Sequence, residues 1–133
     1  MRMAKLTESQ RRFLESPFVG VVTTLRPDGS PHTTVVWVDA VDGEAAFNTA
    51  LGRVKPANME RDPRVSLVVV DPADPYRWVS VDGRATMTTD GADDHIDRLA
   101  KKYTGADTYP HRTPGEVRVT VTIEATRVDS RGV

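Results

Sequence analysis

The chain has 133 residues, enough for one domain with a real core, and its 18 basic and 19 acidic residues leave a net charge of −1. That balance argues against a general nucleic-acid binder, whose surface is clearly basic. No apolar run approaches the ~20 residues of a membrane-spanning helix, and the absence of cysteine removes disulfides, thiolate metal sites and a cysteine nucleophile.

The first fifteen residues, MRMAKLTESQRRFLE, lack an apolar signal core and read as a helix, so a soluble cytoplasmic protein is the expectation. Thr7 and Gln10 fit a capping box, which starts a short helix that runs to about Glu15 and stops at Pro17. Phe18 to Leu25 is β-branched and bounded by breakers, which predicts a strand. Arg26-Pro27-Asp28-Gly29 makes a turn, because proline presets φ and glycine accepts a positive one. A second strand is predicted over His32–Asp39 and a short third over Glu44–Asn48, the three forming a meander. Arg53 to Arg61 is helix-compatible and ends at Asp62-Pro63, since the residue before proline avoids the helical region.

Val65 to Val70 is nearly continuous β-branched sequence and reads as a strand covered on both faces. Arg77 to Thr88 alternates, with Gly83 as a bulge or sharp bend. Ile96, Leu99, Ala100 and Tyr103 recur at helical spacing and predict a helix over Asp93–Tyr103, closed by Gly105. A loop bearing His111 and Arg112 leads to a last strand, Glu116–Val128, with strict alternation at Val117, Val119, Val121 and Ile123. Six strands, three short helices and no regular βαβ crossovers predict a mainly β fold, a closed or nearly closed antiparallel barrel. A hydrophobic content of only 38% adds the expectation of burial against a second copy.

No nucleophile elbow, Walker loop, dinucleotide-binding glycine pattern or zincin motif is present. The three histidines, at positions 32, 95 and 111, are far apart in sequence, and no metal site is expected. His95 falls among polar helix residues and reads as solvated; His32 and His111 are candidates for a place near a ligand. The stretch Glu44–Leu67 carries the sharpest signal. A short apolar strand empties into Asn48 and Thr49, then a glycine turn, then Arg53 and Lys55 at a helix start. Free N–H groups at a helix start plus two cations suit a phosphate or carboxylate. The same residues are otherwise a solvated helix end. Asn58, three residues after Lys55, shares its helix face and offers an amide. Trp37 and Trp78 either fill the core or border a planar heterocycle.

Four segments, GVVTTLRPDGSPHTTVVWV, FNTALGRVKPANMERDPRVSLVVV, YRWVSVDGRATMT and DHIDRLAKKYTGADTYPHRTPGE, together resemble the pyridoxamine 5′-phosphate oxidase-like superfamily of flavin and deazaflavin oxidoreductases. The last two resemble most the branch that uses the deazaflavin coenzyme F420. The resemblance implies a six-stranded antiparallel split β-barrel with flanking helices, acting as a homodimer with cofactor sites at the interface. It implies that Thr34, Val35, Val36 and Trp37 run along the cofactor with His32 nearby, and that Phe47, Asn48 and Thr49 form the next binding strand. Arg53 and Lys55 match the phosphate-binding residues, Asn58 the polar residue after them, and Trp78 an aromatic position near the ring.

FMN-using oxidases of the family show Ser-Arg-Lys where this chain has Arg53-Val54-Lys55, a departure that favours F420 over the alternative, FMN. The longer C-terminal substrate segment of true pyridoxamine-phosphate oxidases has no counterpart here. The implied activity is hydride transfer from reduced F420 to a conjugated acceptor such as an enone, quinone or pigment-like compound. His32, His111, Tyr109 or solvent would supply the proton. An FMN-binding oxidoreductase and a non-catalytic cofactor carrier or sensor are the alternatives.

Overall fold

A computed structural model describes residues 4–133; residues 1–3, included above in the N-terminal helical reading, lie outside the described residues. Helix α1 (Glu8–Glu15) carries the expected capping box, with Thr7 Oγ1 accepting from the Gln10 N–H and the Gln10 side chain accepting from the Thr7 N–H. Its buried Phe13 and Leu14 pack on the sheet.

One antiparallel sheet follows, of seven strands rather than six: β1 (Gly20–Leu25), β2 (Pro31–Val36), β3 (Val38–Val41), β4 (Glu44–Ala50), β5 (Arg64–Asp71), β6 (Asp74–Thr88) and β7 (Arg118–Arg131). Helix α2 (Val54–Arg61) links β4 to β5, and α3 (Ala92–Thr104) links β6 to β7. The extra strand comes from a break at Trp37, which divides the segment expected to be continuous over His32–Asp39. The sheet order is β2-β1-β5-β6-β7-β4-β3, so β2 and β3, separated by one residue in sequence, are its opposite edges. The sheet must therefore curl until its edges meet at Trp37. The predicted meander becomes two hairpins, β1–β2 and β3–β4, on either side of this seam.

Gly20 makes the closure possible. A Cβ there would stand 2.8 Å from Val38 Cγ1 and 2.9 Å from Leu67 Cδ1, so the far edge closes over a position with no side chain. Gly83 serves the expected bulge: the β6–β7 register shifts between Asp82 and Gly83, and a Cβ would fall 2.2 Å from the Glu124 carbonyl oxygen. The core inside the curl is built from Val22, Val38, Phe47, Leu67, Val69, Val79, Val81, Val119, Val121 and Ile123.

The expectation of two covered faces fails for β5. Burial alternates strictly along it, with Val65, Leu67 and Val69 inside and Val68 and Val70 exposed. Strand β4 instead is covered twice, by the core beneath Phe47 and by α3 above Asn48. His95 is corrected too: it is 1% exposed, beneath α3. Its spacing was informative, three residues after Ala92 and four before Leu99, which puts it on the buried stripe of α3.

Candidate functional site

Two cavities deserve comparison. The larger, about 520 Å³, lies between the N-terminal segment and β4 and β7 and is bordered by Asp42, Glu44 and Glu124 as well as Lys5 and Arg11. It has no aromatic wall, and burial followed by repulsion from Glu124 and Asp42 raises the Glu44 carboxyl above its usual range. The smaller, about 250 Å³, opens at the Trp37 seam and concentrates cations and aromatics: Arg53, Lys55, Arg118, Trp37, Tyr109 and His111. The second is the one whose chemistry suits an anionic, planar ligand.

Its aromatic wall is ordered by stacking. Trp37 lies flat on Tyr103, with ring centroids 5.4 Å apart and planes at 7°, and meets the edge of Tyr109 at 6.1 Å. Tyr109 in turn contacts His111 at 5.7 Å. The Tyr103 hydroxyl donates to the Phe18 carbonyl and accepts from the Val38 N–H, pinning Tyr103 against β3 and holding Trp37 from behind. Burial pushes the Tyr103 phenol up to about 12, so it stays a neutral support.

The cationic wall comes from two places. Helix α2 begins at Arg53 with no side-chain cap and no acidic residue in its first turn. Lys55 is half-buried and, among the described residues, has no hydrogen-bond or ion-pair partner. Burial, then the charges of Arg53 and Arg118, lower its pKa from the usual lysine value. Arg118 projects from β7 with a side chain only 4% exposed and donates through Nη1 to Glu116 at 2.8 Å. Glu116 also stands 3.7 Å from Arg53. Arg53 and Arg118 thus share one carboxylate while Lys55 has none, and the pocket wall carries excess positive charge.

Of the sequence-predicted residues, Val35, Val36, Trp37, Asn48, Arg53 and Lys55 line this pocket. His32, Thr34, Phe47, Thr49, Asn58 and Trp78 do not line it. Phe47 is core. Asn58 is buried with its amide committed, Nδ2 donating to Thr24 Oγ1 at 3.0 Å and Oδ1 accepting from Arg61 at 3.1 Å, so it ties α2 to β1. Trp78 pairs with Val70 and Arg131, across the sheet from the seam. His32 Nδ1, Thr34 Oγ1 and Thr49 Oγ1 are buried atoms without a partner among the described residues, the kind of orphan that a bound polar group satisfies.

Sequence reasoning missed Arg118 as a site residue. It sits on the polar face of an alternating strand, which reads as solvent-facing until α3 and its following loop fold over it.

The split-barrel oxidoreductases have this curled half-barrel, and the chain is one of them. It belongs to the pyridoxamine 5′-phosphate oxidase family, whose model matches residues 6–130. It is 31% identical over 119 residues to the F420H2-dependent biliverdin reductase of Mycobacterium tuberculosis, spanning 86% of this chain and 85% of that protein. A solved F420 reductase shares 29% identity and a TM-score of 0.77, over 93% of this chain and 98% of the other. A conserved hypothetical protein of Mycobacterium tuberculosis shares 29% identity and a TM-score of 0.72, over 97% and 86%.

Proposed function

We propose that this protein is an F420H2-dependent reductase that works as a homodimer and reduces a conjugated small-molecule acceptor such as an enone, a quinone or a pigment-like compound. One observation carries the reading: a flat aromatic wall and an under-neutralised cationic wall face one pocket, as a planar heterocycle joined to a phosphate requires. The reductase relatives support the choice of cofactor, and the replacement of Ser-Arg-Lys by Arg53-Val54-Lys55 disfavours FMN.

When bound, reduced F420 supplies a hydride from its C5 carbon. The chain's part is binding and orientation. Lys55 and Arg53 hold the phosphate at the uncapped start of α2. Val35, Val36 and Trp37 would lie along the ring, and Thr34 Oγ1 and His32 Nδ1, outside the pocket lining, are buried polar atoms without partners among the described residues. The acceptor would take up that hydride together with a proton. Tyr109 and His111 line the pocket and, with solvent, are the candidate donors of that proton, whereas His32 does not line it.

Pocket size and surface support the dimer. At about 250 Å³ the pocket lies just below the ~300–1,000 Å³ common for small-molecule sites, which suits a site completed by a second chain. From Val35 at its lip an exposed apolar row crosses the sheet in register, Val35 beside Val21 and Val21 beside Val68, with Val70 and Trp78 paired next to it. A second copy on this row covers the open face of β5 and carries Trp78 toward its partner's site.

The test is titration of apo-protein with F420 and with FMN, followed by single-turnover reduction of enone and quinone panels. Saturable F420 binding with turnover is expected. Binding of FMN alone refutes the cofactor choice; tight F420 binding with no hydride transfer identifies a carrier or sensor instead.

A further inference from the structure

We infer that Asp39, His95 and Asn48 form a buried chain of hydrogen bonds that positions the guanidinium of Arg118 as an anion contact of the seam pocket. The inference rests on the reading of that pocket as the cofactor site.

The direction of every bond in the chain follows from one donor-only group. Arg118 Nε donates to Asn48 Oδ1 at 2.8 Å, and arginine has no acceptor. This fixes the Asn48 amide, so Nδ2 is the atom that faces the Ala92 carbonyl at 3.0 Å and His95 Nδ1 at 3.2 Å. An amide nitrogen donates, so His95 Nδ1 accepts; the Thr120 hydroxyl, 3.0 Å away, adds a second contact to the same atom. The ring proton then sits on Nε2, which donates to Asp39 Oδ1 at 2.9 Å. Arginine donates to amide, amide to imidazole, imidazole to carboxylate. The chain is an ion pair stretched over four side chains, and bonds aligned in one direction polarise one another.

Its deep end is closed: His95 is 1% and Asp39 7% exposed. Its other end opens on the pocket. Arg118 is clamped by Asn48 through Nε, by Glu116 through Nη1 and by the Tyr109 ring, 5.1 Å beneath the guanidinium carbon. Among the described residues Nη2 makes no hydrogen bond, and the residue lines the pocket beside Lys55. A guanidinium immobilised on three sides with one nitrogen left over is preorganised for a phosphate or carboxylate oxygen. His95 and Asp39 are positioning residues, since neither lines the pocket.

A network that merely anchors α3 would leave ligand binding untouched at equal stability, and this separates the two accounts. The probes are F420 in the full-length protein and the Arg118 Nε–H NMR signal in ligand-free protein. His95→Leu breaks the chain, while His95→Gln keeps an acceptor toward Asn48 and a donor toward Asp39. Val79→Ala, a core truncation remote from the pocket, controls for lost stability. Arg118→Gln should weaken F420 binding by at least ~10-fold and His95→Leu by roughly 3- to 10-fold. The double variant should be no weaker than Arg118→Gln alone. His95→Gln should restore most of the affinity, and Val79→Ala should leave it unchanged. Additive losses, or wild-type affinity in His95→Leu, overturn the proposal.

The NMR signal tests the chain apart from the cofactor. A slowly exchanging Arg118 Nε–H in wild type and His95→Gln, lost in His95→Leu, supports it even if F420 does not bind; persistence in His95→Leu refutes it. Should His95→Leu not fold, Asp39→Asn takes its place, with the same signal expected to exchange faster and F420 affinity to fall.

Discussion

Lys55→Ala isolates the charge at the centre of the proposed site. The ammonium is half-buried and unpaired among the described residues, with Arg53 and Arg118 as its charged neighbours. Removing it therefore breaks no bond within the protein and relieves both burial of a charge and repulsion between cations. Fold stability should change by less than about 0.5 kcal/mol, within the range of ordinary surface substitutions. Ligand binding should change far more. A charge-assisted hydrogen bond contributes roughly 1.5–3 kcal/mol, and each 1.4 kcal/mol is a factor of ten, so affinity for F420 should fall by about 10- to 150-fold. Calorimetric titration of the variant beside wild type measures this, with thermal unfolding as the stability control. The loss should shrink in high salt, because the contact is partly open to solvent. Unchanged affinity removes Lys55 from the phosphate role, and a large drop in stability refutes the claim that its charge is held for a ligand.

The valine row supplies a second prediction: Val21→Lys combined with Val68→Lys should convert a dimer to a monomer in light scattering and weaken F420 binding, with each chain still folded. A dimer that survives both lysines puts the interface elsewhere. Gly20→Ala should cost about 1–3 kcal/mol by overpacking Val38 and Leu67, read as a lower midpoint in urea, and a neutral result would mean that the seam has room for a methyl group. Lys102 gives a pH signature. Burial lowers its pKa from 10.5 to about 8, against smaller opposing effects of Asp39 and Glu15. Between those values the unfolded chain holds the proton that the folded chain has lost, so stability should rise from pH 8 to 9.5, by about 1 kcal/mol after allowance for partial exposure. Lys102→Met, measured by denaturation at both pH values, should lack that rise.

Local sequence chemistry fixes most of the elements, and long-range closure decides what it leaves open. The breakers around Phe18–Leu25, the stripe of α3 and the bulge at Gly83 all mark features that form where expected, because a few neighbouring residues determine them. The break at Trp37 has no local signal: HTTVVWVD is β-competent throughout, and the strand ends there only because the sheet curls shut. The same holds for the site. Arg53 and Lys55 are legible beside a helix start, and Trp37 as an aromatic in a strand. Arg118 is not, and for His95 the spacing gives only its place on the buried stripe of α3, because α3 packs on a polar face of β4 and β7 bearing Asn48 and Thr120, and a search for apolar periodicity passes over a buried surface made of polar groups.

The seam also bears on how this protein avoids sticking to itself. An open sheet offers unpaired N–H and C=O groups along its edge strands, a template on which another chain can add a strand and begin to aggregate. At the β3 edge three of those groups are taken by side chains. The Val38 N–H reaches the Tyr103 hydroxyl, the Ala40 N–H reaches Glu15, and the Val38 carbonyl receives Lys102. Helices α1 and α3 thus blunt the edge without a proline or a bulge. A second copy finds no free ladder donor at Val38 or Ala40, so strand addition at this edge does not compete with the docking proposed for the valine face.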